Sequence, residues 1–461
     1  MLNPFLAMLI IALILGGLLF GLRLLQNRFD IHPEVSRKLM HVIMGLTTLN
    51  LPWLFDQRWP VVSLAVVTAI GLFLLKRTKL KASIGQVLHG VGRSSQGDVA
   101  FPLAVATVFV LANGNAILYC IPILILTIAD ATAALIGLRY GLSRYQAAEG
   151  QKSIEGSLAF FAISFNSVLL SLLLFTQVGR QESILIAFLL GLLVMMLEAI
   201  SWQGLDNLFI PLAGFLLLES YLTMAVTDLL INLAVVLGLV LYVLMGRQAG
   251  GFDPTAVMTA ALIGYLIWST GGWLWMIAPL TLFAAYSFVL PKRFEISPDA
   301  KDEHAFRLKA FPVDTYTVYT VLSATLPGLF WLFLAQNFQA PELIYPYMIS
   351  FACYLMIVGM GRMNAEGRLS EKLRTFWESV FYAWTLIPFI FYVWQLPSFK
   401  ASLYLLVSLL ILSLSAWAFY YMQPRIEARP FDMQRWRWQG ALAGLGSSLA
   451  LIPLLLLTLK G

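Results

Sequence analysis

The side chains of this chain that could do chemistry form a small set of acids and cations placed between long apolar runs. The acids are Asp98, Asp130, Glu155, Glu198 and Asp206, and the cations are Arg37, Lys38, Arg139 and Lys152. Together they suit a magnesium ion with a polyphosphate, because Mg²⁺ is typically held by one or two carboxylates while phosphate oxygens require positive partners. Since phosphoryl transfer needs chiefly positioning and charge neutralisation, these residue types predict that chemistry if the fold brings them together.

Two segments near the amino terminus place polar groups at the start of apolar helices. In the first, HPEVSRKLMHVIMG, Arg37, Lys38, His41 and Gly45 follow helical spacing and share one stripe. Alternatively, this stripe is an interfacial charge belt, in which the lysine and arginine side chains snorkel to the membrane surface.

The second segment is GRSSQGD, in which Ser94, Ser95, Gly97 and Asp98 precede an apolar run. Free N–H groups at such a helix start suit an anion such as phosphate. The segment is not a P-loop because no GK[ST] follows, and Asp98 could instead be a plain helix cap.

Asp130 stands inside an apolar segment, TIADATAALIGLRYG. A carboxylate at membrane depth costs several kcal/mol unless it is paired or bound to a metal. Ala134 and Gly137, on the same helix face, leave room for a ligand or for a neighbouring helix that would pair with Asp130 structurally.

Two further segments add polar residues. GQKSIEGS at 150–157 enters the next predicted helix and supplies Lys152, a point charge suited to phosphate, and Glu155. Glu198 is followed by Asp206 and Asn207 near a helix break, where Asp206 could be a simple cap. All of these segments fall on the same predicted side of the membrane, which indicates one site at that face.

The composition requires apolar elements to carry these groups. Hydrophobic residues make up 60% of the 461 residues and charged residues 12%, where soluble domains have about 25% charged residues. This excludes disordered, collagen-like and soluble globular proteins. Continuous apolar runs predict an all-α, multi-pass transmembrane bundle of about 14 to 16 helices. Cys120 and Cys353 show neither disulfide nor metal spacing.

The distribution of charge predicts the orientation in the membrane. Every second loop is basic, and these loops hold 26 of the 30 lysines and arginines. By the positive-inside rule they face the cytoplasm or the plastid stroma, with the amino terminus on the other side. The net charge of +6 therefore reports topology and gives no support for a nucleic acid partner. A bacterial inner membrane or a plastid membrane is expected, with residues 5–22 as a retained first helix.

The motifs together resemble the membrane-bound polyprenol kinase family, which includes dolichol kinase and phytol kinase. The matching segments are EVSRKLMH at 34–41, SSQGD at 94–98, DATAALIGLRYG at 130–141, KSIEGS at 152–157 and GLDNLFIP at 204–211, with Glu198 before it. The order and spacing of these segments match the family across about residues 30–245. The resemblance implies an enzyme that phosphorylates an isoprenoid alcohol in the bilayer with Mg²⁺ and CTP, or another nucleoside triphosphate, as donor.

The resemblance implies that Asp98, Asp130, Lys152 and Glu155 belong to the site, and the roles that follow are our own hypothesis from the chemistry of the residues. Asp98 and Asp130 would hold Mg²⁺, and Lys152 with Arg139 would neutralise the triphosphate. Glu155 or Glu198 would orient or deprotonate the alcohol, with Asp206 and Asn207 on the substrate side. The nucleotide- and phosphate-binding set is Arg37, Lys38, His41, Ser94, Ser95, Gly97, Arg139, Gly141, Ser153 and Gly156.

The sequence divides into three parts and leaves two rival functions. Residues 1–245 form the kinase-like part, 246–291 faintly resemble a phytyl-phosphate kinase family, and 292–461 form a carboxy-terminal membrane module that the motifs do not explain. A phosphatidate cytidylyltransferase would carry a PGHGG signature, which the sequence lacks. A transporter would show paired hydropathy repeats with helices broken at the midplane.

Overall fold

The computed structural model describes residues 3–29, 33–77, 97–147, 150–202, 204–250, 252–285, 287, 317–363, 369–394, 399–427 and 433–458. The chain forms two compact units, Met1–Val235 and Val236–Gly461. The predicted Ser94, Ser95 and the polar loop 291–312 lie outside the described residues.

The first unit is a bundle of helices with one short hairpin. Its elements in chain order are α1 (Pro4–Phe29), α2 (Pro33–Thr48), α3 (Leu51–Leu54), α4 (Arg58–Arg77), α5 (Gly97–Ala112), α6 (Ala116–Leu124), a π-helical turn (Ile125–Ala129), α7 (Asp130–Tyr140), β1 (Arg144–Gln146), β2 (Gln151–Ser153), α8 (Ile154–Phe175), α9 (Arg180–Ile200) and α10 (Asp206–Tyr221). Helix α11 (Val226–Gly250) runs across the division between the units.

The second unit is also helical. Its elements are α12 (Pro254–Gly271), α13 (Trp273–Ala284), α14 (Val318–Asn337), a 3₁₀ turn (Pro341–Leu343), α15 (Ile344–Met363), α16 (Leu369–Trp384), a π-helical turn (Thr385–Phe389), α17 (Ile390–Trp394), α18 (Phe399–Glu427), α19 (Met433–Ser448) and α20 (Leu451–Thr458). Helix α15 forms its core, because every residue from 344 to 360 is buried.

The predicted all-α multi-pass architecture is confirmed. Within the described ranges, nine helices are long and apolar enough to cross a membrane, and four further apolar helices are shorter. Many of their large apolar side chains are exposed, such as Leu13, Val67 and Phe175. Such a surface suits a lipid solvent, in which backbone groups must be paired within each helix.

Helix α2 runs antiparallel to the α6–α7 segment, and this pairing sets the depth of the polar residues. Near one end, the Tyr119 hydroxyl donates to the Thr48 carbonyl at 2.8 Å. In the middle, Gly45 lies so close to Thr127 that a Cβ on Gly45 would meet its side chain within 3.0 Å. At the other end, Lys38 reaches Asp130.

The π-helical turn immediately before Asp130 changes which face of the helix Asp130 occupies. One extra residue in the turn rotates the following side chains by about 100° relative to a continuous α-helix. Asp130 therefore points at α2, and hydropathy could not predict this because the turn, ILTIA, is as apolar as its neighbours.

Between α7 and α8 the chain forms a hairpin in which Tyr145 of β1 pairs with Lys152 of β2. Gly150 adopts a φ of +77°, a conformation that favours glycine, and its carbonyl accepts from the Ala147 N–H at 2.9 Å. Sequence patterning had placed Lys152 at the entrance to a helix, whereas the structure places it on a strand. The hairpin turns the Lys152 side chain towards α9.

Helices α7 and α8 approach closely at glycines, which fixes the hairpin against both of them. A Cβ on Gly156 would lie 3.0 Å from the Ala133 carbonyl oxygen and 3.1 Å from Ser153 Oγ. A Cβ on Gly137 would lie 3.0 Å from the same Ser153 hydroxyl oxygen, and a Cβ on Gly141 would lie 2.8 Å from it. Larger residues here would separate the helices.

Replacement of Gly156 by Val is expected to destabilise the protein by about 1–3 kcal/mol, because the added methyls meet backbone atoms that cannot move cheaply. The matched control is Gly71→Val on α4, since no atom lies within 4 Å of a Cβ there. Thermal unfolding in detergent measures both variants. Equal melting temperatures would show that the α7–α8 contact is looser than the structure has it.

Candidate functional site

The deepest polar contact of the first unit is a buried ion pair between α2 and α7. Lys38 Nζ donates to Asp130 Oδ2 at 2.6 Å, and each side chain is only 7% exposed. A buried charge of either sign without its partner would cost several kcal/mol. The pair therefore explains how Asp130 is tolerated among apolar helices, and it places one carboxylate and one ammonium together, as a polyphosphate site needs.

His41 joins this pair to helix α5. Its Nε2 lies 3.9 Å from Asp130 Oδ2, and its ring packs edge-on against Phe101 at 5.0 Å between centroids. Phe101 lies less than one turn after Asp98 on α5. Phe101 on α5 and Asp130 on α7 therefore contact His41 from two different helices, which places the helix that carries Asp98 beside the one that carries Asp130.

The start of α5 contacts the start of α10. A Cβ on Gly97 would lie 2.5 Å from the Asn207 amide nitrogen and 3.0 Å from the Gly204 carbonyl oxygen. Gly204 itself has a φ of +75°, which favours glycine at this break between α9 and α10. This close approach brings Asp98 to the end of the bundle that carries Asp206.

A second ion pair lies between the hairpin and α9. Lys152 Nζ donates to Glu198 Oε1 at 2.6 Å and also to the Glu198 main-chain carbonyl. Burial by itself would lower the pKa of Lys152, but Glu198, with smaller contributions from Asp206 and Tyr145, raises it above the ordinary value. The carboxylates of Glu198 and Asp206 therefore favour the charged form of Lys152.

This balance predicts a change in pH dependence on replacing Glu198 with Gln. With the carboxylate removed, burial is the largest remaining influence, so the pKa of Lys152 should fall below its ordinary 10.5. If Lys152 acts as its ammonium, normalised activity of Glu198→Gln should decline at a lower alkaline pH than that of the parent. Initial rates from pH 7 to 10 test this, and superimposable profiles would contradict it.

Tyr145 is a site residue that sequence patterning missed. Its hydroxyl lies 2.8 Å from Ser157 Oγ on α8, and its electrostatic coupling to Lys152 and Glu198 places it beside their pair. Burial raises the pKa of Tyr145, with the hydrogen bond to Ser157 opposing this. No motif contains Tyr145, and only its cross-strand pairing with Lys152 could have indicated it.

Glu155 and Ser153 hold the hairpin on α8. The Ser143 backbone N–H donates to Glu155 Oε1 at 3.0 Å, and the Gly156 N–H donates to Ser153 Oγ at 3.1 Å. Ser153 is therefore the amino-terminal cap of α8. Both side chains position the strand that carries Lys152.

The remaining predicted residues are more peripheral. Arg139 is exposed, with its guanidinium carbon 5.4 Å from the centroid of the Tyr140 ring. Asp206 is the first residue of α10, and its carboxylate accepts from the Asn207 N–H at 3.0 Å. Arg37 lies on α2, one residue before Lys38.

The described residues of the predicted polar segments thus lie towards one end of the first unit. The site uses the starts of α2, α5, α8 and α10, the ends of α7 and α9, and the hairpin. The site has two levels along the axis of α7. Asp130 marks one level, and Gly137, which packs against Ser153 of the hairpin, lies about 10 Å further along the helix and marks the other. Ion pairs of Lys38 with Asp130 and of Lys152 with Glu198 mark the two levels.

The donor set fits a magnesium ion bound together with phosphates. Among the described residues no three His, Cys, Asp or Glu side chains group as a complete metal cage. Magnesium usually takes one or two carboxylates and completes its shell with water and substrate phosphates. Asp98 on α5 and Asp130 on α7 are the two carboxylates that would serve in such an arrangement.

This fold and this site define a multi-pass α-helical membrane protein with a charged polar site at one end of an apolar bundle. The chain is similar to the phytol kinase of Synechocystis sp., with 32% identity over 206 residues, which are 44% of this chain and 86% of that protein. The chain therefore belongs to the membrane-bound polyprenol kinase family that contains phytol kinase. No protein-family model and no solved structure matches it.

Proposed function

We propose that this protein transfers the γ-phosphate of CTP, or of another nucleoside triphosphate, to the hydroxyl of an isoprenoid alcohol in the membrane. The similarity to phytol kinase carries this proposal. The two ion-paired levels of the polar site support it, since they supply both carboxylates and ammonium groups at one end of an apolar bundle. Phytol, farnesol, geranylgeraniol and dolichol-like polyprenols are the acceptors to test.

In this reaction the alcohol oxygen forms a bond to the γ-phosphorus, the bond from the β–γ bridging oxygen to that phosphorus breaks, and the nucleoside diphosphate leaves. The alcohol proton passes to a carboxylate. Of the two carboxylates considered for this step, Glu198 fits better, because Glu155 is engaged by the Ser143 N–H at the base of the hairpin. Glu198 is released for this task when Lys152 turns from it to a phosphate oxygen.

The cations act by holding and neutralising the phosphates. Lys152 contacts the transferred phosphate, and Arg139 approaches it from the exposed rim of the site. Lys38 and His41 border the deeper level beside Asp130. An ammonium fixed in a site with little water stabilises developing charge far more than one in bulk solvent.

Asp98 and Asp130 would hold the magnesium ion, which would neutralise phosphate charge when bound. In the protein alone, Lys38 donates to Asp130 and supplies its counter-charge at this depth. The lysine is then available to a phosphate oxygen when the nucleotide arrives. The same residue thus stabilises the empty site and binds the donor.

The proposed site faces the cytoplasm or the stroma. The support is the concentration of lysine and arginine in alternate loops, including those that carry the site. Labelling of a cysteine introduced at Ser143, an exposed residue just before the hairpin, by an impermeant reagent in oriented vesicles tests this. Reaction only from the outer side would overturn the orientation.

Purified protein in detergent or nanodiscs, supplied with each alcohol, Mg²⁺ and a labelled nucleotide, tests the function. We expect γ-labelled CTP to transfer its label to an isoprenoid alcohol, with ATP, UTP and GTP as comparison donors. α-Labelled CTP is the matched control, because a kinase leaves the α-phosphate on the nucleotide.

Each alternative activity gives a different result. Label from α-labelled CTP in a lipid would indicate a cytidylyltransferase, and the kinase proposal would fall. Absence of lipid label from every donor, with uptake of a solute into proteoliposomes, would indicate a transporter.

A further inference from the structure

The second unit contains an apolar pocket that the polar site does not use. It lies among helices α11 to α15 and has a volume of about 90 Å³. Its wall includes Leu239, Ile263, Met276, Leu282, Val321 and Phe351. These six side chains are each no more than 8% exposed. The pocket is partly open to the outside of the unit.

The polar side chains in the wall direct their hydrogen bonds elsewhere. The Tyr242 hydroxyl donates to the Leu280 carbonyl at 2.9 Å, and the Thr325 hydroxyl donates to the Val321 carbonyl at 2.7 Å. The described residues that line the pocket include no charged side chain. The pocket therefore offers carbon surface and selects against a charged or strongly polar ligand.

The volume is too large for ordinary packing. Protein interiors have few voids larger than one water molecule, and an apolar void does not hold water. By the volume that one water needs, 90 Å³ has room for about six to nine non-hydrogen atoms. That corresponds to one or two isoprene units at the end of a chain.

Small residues widen the pocket. Ala260, Gly264 and Ala324 contribute to the wall alongside the larger side chains. A Cβ on Gly264 would lie 3.3 Å from Leu239, so a larger residue at this position would press against the wall.

From this pocket we infer a second binding site in the protein, which holds the end of an isoprenoid chain within the second unit. The choice of an isoprenoid rather than an acyl chain rests on the proposed function of the first unit. The occupant enters from the bilayer through the open side. All of its contacts with the wall are apolar.

Photo-crosslinking of the full-length protein tests the inference. The probe is geranylgeraniol with a diazirine at the end of its chain, used in nanodiscs and followed by mass spectrometry. We expect labelled residues in α12, α13 and α15, among them Met276 and Phe351, and competition by excess unlabelled geranylgeraniol. A straight-chain phosphatidylcholine with the same diazirine is the comparison arm. Equal labelling of these residues by the two probes would overturn the isoprenoid assignment.

A variant that fills the pocket gives a second measurement. Ala260→Leu adds bulk at the wall, and we expect it to reduce labelling of the pocket at least about fivefold. The matched control is Ala441→Leu, the same change at an exposed position of α19 in the same unit. Unchanged labelling in Ala260→Leu, or labelling confined to exposed side chains in the parent, would overturn the inference.

The outcome is separable from that of the proposed function. Phosphorylation of an isoprenoid alcohol without labelling of the pocket would remove the second site and leave the kinase proposal standing. Competed labelling of the pocket without any phosphoryl transfer would do the reverse.

Discussion

Replacing Asp130 with Asn is expected to lower the rate of phosphoryl transfer at least about 1,000-fold. The carboxylate charge supplies several kcal/mol of stabilisation to a bound metal and its phosphates, and each 1.36 kcal/mol is a factor of ten. Asn keeps the shape and one oxygen acceptor but loses that charge. Initial rates with γ-labelled nucleotide measure the change.

Loss of stability has to be separated from loss of chemistry, because Lys38 then stays buried without its counter-charge. Breaking such a pair costs about 3–5 kcal/mol, whereas replacing both partners with apolar side chains is often neutral. Lys38→Met combined with Asp130→Leu should therefore recover the melting temperature without recovering activity. Activity of Asp130→Asn near that of the parent would remove Asp130 from the site.

Replacing Lys152 with Met is expected to lower kcat/KM for the nucleotide by about 100- to 1,000-fold, the usual effect of removing one group that stabilises charge in the transition state. Its ammonium is held 2.6 Å from Glu198 Oε1, and that carboxylate favours the charged form of Lys152. Lys152→Arg retains the charge and should keep part of the activity. Steady-state kinetics with varied nucleotide concentration measure both variants.

Arg144→Met is the matched control, since Arg144 lies on the same hairpin and is exposed. We expect its kcat/KM to stay within a fewfold of the parent value. Equal, small effects of the two Met substitutions would show that Lys152 serves only as the structural partner of Glu198.

The membrane architecture and the inventory of the site could be predicted from the sequence. Apolar runs specify helices because lipid offers no hydrogen-bond partner to the backbone. Acids such as Asp130 stand out because a buried carboxylate in a membrane segment raises the free energy of the folded protein unless it is paired or bound to a ligand. Both inferences need only residue types and their spacing.

The partners of those acids depended on the tertiary structure. Lys38 and Asp130 are 92 residues apart, and they meet because α2 packs antiparallel to α6–α7 and the π turn rotates Asp130. Lys152 faces Glu198 because a hairpin, held by Gly150 and Glu155, intervenes where helical patterning was expected.

The apolar pocket of the second unit was likewise invisible in the sequence. Its wall residues are ordinary members of apolar helices, and only their packing leaves a space. What the sequence by itself determined was therefore the lipid environment and the charged groups that need an explanation, because burial costs are set by residue type. Which groups pair, and where space remains, was decided by helix packing, because contacts between distant segments depend on the register of whole helices.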